Sequence, residues 1–260
     1  MDRQLTRFQT HLRVLHALLI REMITRYGRS GLGYVWALVE PVAVIGLLTL
    51  VFSQIAHAPP YGDSFALFYA TGYLAFHWFI DVASVTARSV HVNRPLLAFP
   101  SVTALDTLLA RFVLQMLTGL AVGIVIIGAV LAITGERITP VIGPLLLAFA
   151  MSMALAFALG VFNCWAFTLS RGWEVVWGIL SRPLLLVSCV FYSFEALPQL
   201  ARDVLWYNPV VHLVGTLRAG IYPTYDPAHV DPAFVLTISL GLMLAGLIGI
   251  RSIRSRMATA

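Results

Sequence analysis

Apolar residues fall into six long runs separated by short polar breaks. The runs cover residues 32–55, 65–87, 112–133, 141–169, 175–194 and 233–250. A helix needs about 20 mostly apolar residues to cross a bilayer, so the pattern predicts six transmembrane helices in an all-α integral membrane fold. Three runs carry a charge: Glu40 (followed by Pro41) in the first, Asp81 in the second and Arg182 (followed by Pro183) in the fifth.

The flanking patterns differ. Over 5–27, Leu5, Phe8, Leu12, Leu15 and Leu19 recur at three- and four-residue steps, while Arg3, Arg7, Thr10 and Arg13 fall off that stripe. Such a helix lies in the headgroup plane, as an anchor or as an interface for a cytoplasmic partner. Glu22 precedes Arg26 by four, a supportive pair. Between the fifth and sixth runs, Pro198, Pro209, Pro223 and Pro227 divide the chain into short helices outside the cytoplasm. Tyr192, Trp206, Tyr207, Tyr222 and Tyr225 there suit an interfacial aromatic belt, or a mouth whose rings stack on sugars. The predicted organisation is an interface helix at 1–31, a six-span domain at 32–250 and a cytoplasmic tail at 251–260. Within the domain, 88–111 is cytoplasmic and 195–232 periplasmic.

Composition narrows the class. The 260 residues are 59% hydrophobic and 11% charged, with mean hydropathy +0.86. Soluble domains carry about 25% charged residues, so a soluble enzyme and a disordered chain are both excluded. All 17 basic residues are Arg. Without Lys there is no P-loop lysine, so the chain is not by itself a P-loop ATPase, nor a pyridoxal enzyme. Thirteen Arg fall on the side of the N-terminus, the second-to-third connection, the fourth-to-fifth connection and the tail; only Arg137, Arg202 and Arg218 fall opposite. The positive-inside rule then places both termini in the cytoplasm. No early apolar segment with a small-residue cleavage site appears, so insertion through the first span is expected.

Enzyme signals are weak. Cys164 and Cys189 lie in apolar runs as packing residues, and the histidines have no metal-ligand spacing. Gly28-Arg29-Ser30-Gly31 matches an intramembrane-protease pattern, but it precedes the first span and the last span has no His. No catalytic residue and no metal site is expected. Glu40, Asp81 and Arg182 each lie about 10–12 Å from the nearest polar break, in the cytoplasmic half. Intramembrane charges must face protein or water. Arg182 therefore pairs with Glu40 or Asp81, lines a wet path for an anionic cargo, or snorkels to the interface.

Three segments carry a family resemblance. Arg26-Tyr27-Gly28-Arg29-Ser30-Gly31-Leu32-Gly33-Tyr34-Val35-Trp36-Ala37-Leu38-Val39-Glu40-Pro41 resembles the approach to the first span of type-2 ABC exporter permeases, and most resembles capsular-polysaccharide permeases of the KpsM type. Asn93-Arg94-Pro95-Leu96-Leu97-Ala98-Phe99-Pro100, continuing to Asp106 and Arg111, resembles their second-to-third connection. Leu197-Pro198, Arg202-Asp203, Trp206-Tyr207-Asn208-Pro209, His212 and Tyr222-Pro223 resemble their periplasmic segment.

The resemblance implies a homodimer in the bacterial inner membrane that exports a lipid-linked acidic polysaccharide. Its partners would be a KpsT-like nucleotide-binding ATPase, a KpsE-like periplasmic adaptor and a KpsD-like outer-membrane channel. ATP and Mg would sit on the ATPase, with no cofactor on this chain. Asn93, Arg94, Leu96, Phe99 and Pro100 would couple to the ATPase, flanked by Arg88 and Arg111. Arg26, Tyr27, Arg29, Tyr34, Trp36, Glu40, Asp81, Trp165, Trp173, Trp177 and Arg182 are candidates for the substrate path. Export of O-antigen, teichoic acid, lipid or drugs on the same plan, or a non-transporting adaptor, are the alternatives.

Overall fold

The computed structural model describes residues 7–27, 32–99, 102–136 and 138–252, with side chains excepted at 7–10, 26–27, 32–34 and 98. In chain order the helices are α1 (Arg7–Tyr27), α2 (Leu32–Ile55), α3 (Phe65–Ala87), α4 (Ser89–Val92), α5 (Ala104–Thr134), α6 (Ile142–Leu169), α7 (Arg171–Leu186), α8 (Gln199–Leu205), α9 (Pro209–Ile221) and α10 (Pro232–Ser252). A 3-10 turn, Arg94–Ala98, follows α4. Among the described residues there is no strand.

Among the described residues, five helices are long and apolar enough to cross a membrane: α2, α3, α5, α6 and α10. They match the predicted runs closely, except that α5 begins eight residues early, at a Thr103–Asp106 capping box. Reciprocal bonds at that box satisfy the first orphan amides and extend the helix into the 88–111 connection. The fifth run differs more. Its helix α7 starts at Arg171 and stops at Leu186. Sixteen residues rise about 24 Å, short of the ~30 Å hydrocarbon core. The chain then turns at Cys189, a non-glycine residue with φ +57°.

This turn is buried, so its backbone needs partners. Arg218 supplies two, donating from Nη2 to Val190 O (3.0 Å) and from Nη1 to Tyr192 O (3.2 Å). Asn208 Nδ2 donates to Val187 O at 2.9 Å. Gly72 of α3 makes room, because a Cβ there would stand 2.8 Å from Val190 O and 2.9 Å from Arg218 Nη2.

Within the segment expected to be periplasmic lies α9. This helix is buried along nearly its whole length, packed on α3 and α6. Asn208 caps it by accepting from Val210 N, and Pro209 opens its first turn. His212 on it finds partners at both ring nitrogens: Nε2 meets Trp206 O at 2.8 Å, and Nδ1 accepts from Asp231 N at 3.0 Å.

Helix α3 is central, packing on α2, α5, α6 and α9. Small residues set the close approaches, as expected where lipid offers no hydrophobic drive between helices. Gly160 of α6 faces Thr86, and Gly119 and Gly123 of α5 face Trp78, whose Nε1 donates to Gly119 O at 2.8 Å. Helices α2 and α7 are different. Only 11% of the α2 span is buried, and no residue of α7 is.

Candidate functional site

At one end of the bundle, α1 packs on α5 and lies against the 88–111 connection. A buried polar cluster joins them. Glu22, 5% exposed, accepts from Asn93 Nδ2 at 3.0 Å and from Arg111 Nε at 3.1 Å. Arg21 Nη1 donates to Asn93 Oδ1 at 3.0 Å. His11 Nδ1 lies 3.2 Å from Asp106. Of the expected coupling residues, Asn93 therefore faces inward as a tie between α1 and the connection. Arg94 and Phe99 face outward, Phe99 being 59% exposed, and Leu96 is half-buried. Pro100 lies outside the described residues.

Two cavities open beside this platform. One of about 580 Å³ is lined by Arg21, Glu22, Asp81, Arg88, Asn93 and Arg111, among others. The other, about 710 Å³, is lined by Arg88, His91, Arg94, Phe167, Arg171 and Glu174, among others. Arg88 lines both, donating from Nε to Glu174 at 3.1 Å.

The intramembrane charges are not gathered into one pair. Asp81 accepts a short hydrogen bond from Gln115 and lines the first cavity. Glu40 and Arg182 are exposed on α2 and α7. Among the described residues no ion pair joins Arg182 to Glu40 or Asp81. The aromatic path candidates also separate. Trp165 packs under Gly249 of α10, Trp173 Nε1 donates to Asn163 at 3.0 Å, and Trp177 packs on the main core. Trp36 is 68% exposed. Arg29, and the side chains of Arg26, Tyr27 and Tyr34, lie outside the described part.

At the other end, three segments meet at Glu195. Tyr61 donates to its Oε2 at 2.6 Å, Tyr225 to its Oε1 at 2.9 Å, and His229 Nδ1 lies 3.2 Å from Oε1. Ser193 adds a further hydroxyl. Burial alone would raise the Glu195 carboxyl, but the hydrogen bonds from His229, Ser193 and Tyr61 outweigh it and hold the group well below the usual carboxylate range. Burial, followed by the neighbouring carboxylate, pushes the Tyr61 and Tyr225 phenols up. Tyr222 is buried against Tyr61, and the Tyr192 hydroxyl donates to Leu186 O. Tyr207 is 70% exposed, while Trp206 is half-buried between His212 and Phe234. The predicted belt is thus partly internal, with Tyr222 buried and Tyr207 exposed.

Sequence reading missed Glu22, Glu195 and Arg218 as organisers. Only Glu22 left a signal, an acidic residue on an otherwise basic helix.

Comparison with known proteins gives a consistent set. Residues 13–222 match the family described as ABC-2 type transporter. The chain is 28% identical over 255 residues to the polysialic acid transport protein KpsM of Escherichia coli, covering 97% of this chain and 98% of that one. It is 30% identical over 246 residues to the capsule polysaccharide export inner-membrane protein BexB of Haemophilus influenzae, covering 92% and 91%. It is 30% identical over 236 residues to the capsule polysaccharide export inner-membrane protein CtrC of Neisseria meningitidis serogroup A, covering 90% and 89%.

Proposed function

The chain belongs to the ABC-2 type transporter family, and from that premise we propose that it is the inner-membrane permease of an ATP-driven exporter of capsular polysaccharide. The observation that carries this reading is near full-length similarity to three capsule-export permeases. The lack of Lys agrees with it, since ATP hydrolysis must come from another chain.

In this reading, cytoplasmic force enters through the exposed Phe99 and Arg94, and Asn93 passes it to α1 and α5 through Glu22 and Arg111. Phe99 suits the role of an anchor filling a pocket on a KpsT-like ATPase. A polymer with an acidic, lipid-linked end would approach the Arg-lined cavities, whose guanidiniums match carboxylate and phosphate. A KpsE-like adaptor and a KpsD-like channel would extend the path outward. The permease works as a homodimer. Support comes from α2 and α7, which leave large apolar faces exposed and carry the exposed charges Glu40 and Arg182, with no ion pair to either among the described residues. A two-fold contact through these helices covers both faces and lets Glu40 of each copy meet Arg182 of the other.

Deleting the gene in its host tests the function. Polysaccharide is expected to accumulate inside the cell and disappear from the surface. Unchanged surface polysaccharide refutes the reading, and a lost O-antigen or drug-resistance phenotype with normal capsule favours those cargoes instead.

A further inference from the structure

The outer end of the molecule holds a cavity that neither the fold nor the coupling platform uses. It measures about 490 Å³ and is lined by Phe194, Gln199, Arg202, Asp203, Trp206 and Tyr207. That size falls within the ~300–1,000 Å³ range of small-ligand sites. Five of the six lining residues come from α8 and its immediate continuation, where Trp206 keeps right-handed helical angles (φ −57°, ψ −32°). At 3.6 residues per turn, positions 199, 202, 203, 206 and 207 share one helix face. Leu200 and Val204 form the neighbouring face and are 81% and 67% exposed. Helix α8 therefore turns its polar and aromatic row toward the cavity and its apolar pair elsewhere.

The chemistry of the row is selective. Arg202 has its Nε buried with no hydrogen-bond partner among the described residues. That nitrogen is closed off, so a carboxylate in the cavity that Arg202 lines meets the guanidinium through its terminal nitrogens, as a charge-assisted pair. Asp203 already accepts from Gln199 Nε2 at 2.7 Å, and its other oxygen remains an acceptor for hydroxyl groups. Trp206 is fixed by donating from Nε1 to His229 O at 3.0 Å. It crosses Tyr207 at an interplanar angle of 89° with centroids 5.4 Å apart. The two rings thus offer differently oriented faces, whose negative quadrupole attracts the C–H edge of a pyranose. An arginine, an acceptor set for hydroxyls and aromatic walls together fit a sugar ring that carries a carboxylate.

We propose that this cavity is an exit subsite that binds one carboxylated sugar residue of the exported chain, with Arg202 on the carboxylate and Tyr207 against the ring. The proposal rests on the polysaccharide-export reading for its place in transport, but the binding chemistry stands on the cavity alone. A weak site at the mouth takes hold of the leading segment as it emerges.

The test uses the full permease with its ATPase in lipid nanodiscs. Calorimetric titration compares a galacturonic acid hexamer with neutral maltohexaose. The wild-type protein is expected to prefer the carboxylated hexamer. Arg202→Gln is expected to weaken that hexamer about tenfold or more, the usual worth of a charge-assisted hydrogen bond, and to leave the neutral one unchanged. Tyr207→Ala, at an exposed position with little risk to folding, should weaken both. Retention of the ATPase on purification confirms that each variant is assembled. Equal affinity for the two hexamers, no binding to either, or wild-type affinity in Arg202→Gln overturns the subsite. Arg202-dependent binding in a protein whose deletion leaves surface polysaccharide intact would support the site and refute the export reading.

Discussion

Glu22 offers a quantitative test of how α1 is held to the coupling connection. Its carboxylate is almost fully buried and takes two donors, the Asn93 amide at 3.0 Å and the Arg111 guanidinium at 3.1 Å. In Glu22→Ala both donors lose their acceptor. Breaking a buried pair from one side costs ~3–5 kcal/mol, because the remaining charge stays desolvated. Arg111 is slightly less buried than Glu22, at 14% side-chain exposure, which puts the expected cost near the lower end of that range. Both donors converge on Oε1, so Glu22→Gln can keep both bonds with its one carbonyl and loses only the charge, which makes each bond about half as strong and costs ~1–2 kcal/mol. The predicted order is wild type, then Gln, then Ala. Hydrogen exchange over α1 reads this directly, since a loss of ~3 kcal/mol speeds exchange of its amides by about a hundredfold. Arg111→Ala should show a similar loss, and the double variant much less than the sum. Unchanged α1 protection in Glu22→Ala, or full additivity in the double variant, would refute the idea that this carboxylate ties the two elements.

Other expectations follow from the same geometry. Phe99→Ala should leave folding intact yet release the ATPase during purification; an ATPase that stays bound with normal export removes Phe99 from the coupling surface. Glu40→Arg and Arg182→Glu should each weaken the dimer seen by native mass spectrometry, and the double swap should restore it. Gly160→Leu should abolish monodisperse protein on size-exclusion chromatography, because even its Cβ would stand 2.6 Å from Thr86 Cβ. The carboxyl of Glu195 is lowered in the fold, so its stabilising contribution is full above the free carboxylate value of 4.5 and fades as pH falls below it. The thermal-stability gap between wild type and Glu195→Gln should therefore shrink on acidification from about pH 5; a gap independent of pH contradicts a charged Glu195 holding these segments together.

Apolar periodicity alone placed four helices almost to the residue, because a span must satisfy its own backbone and bury an unbroken apolar length. The Arg distribution predicts which way they point, since that signal is also local. The three motif segments pointed to the family before any contact was known. What the linear pattern could not decide is where polar groups find partners. Val187–Phe194 reads as the end of a span, yet it turns back because Arg218, some 28 residues later, bonds its carbonyls. Residues 209–221 carry His212 and Arg218 and read as neither span nor loop; tertiary contacts with α3 and α6 make them a buried helix. Asn93 looks like a surface coupling residue in the sequence and faces Glu22 in the fold. Local patterns therefore determined the place and extent of most of the long helices. The three-dimensional packing decided the short ones, because their buried polar groups are satisfied only by residues far away in the chain.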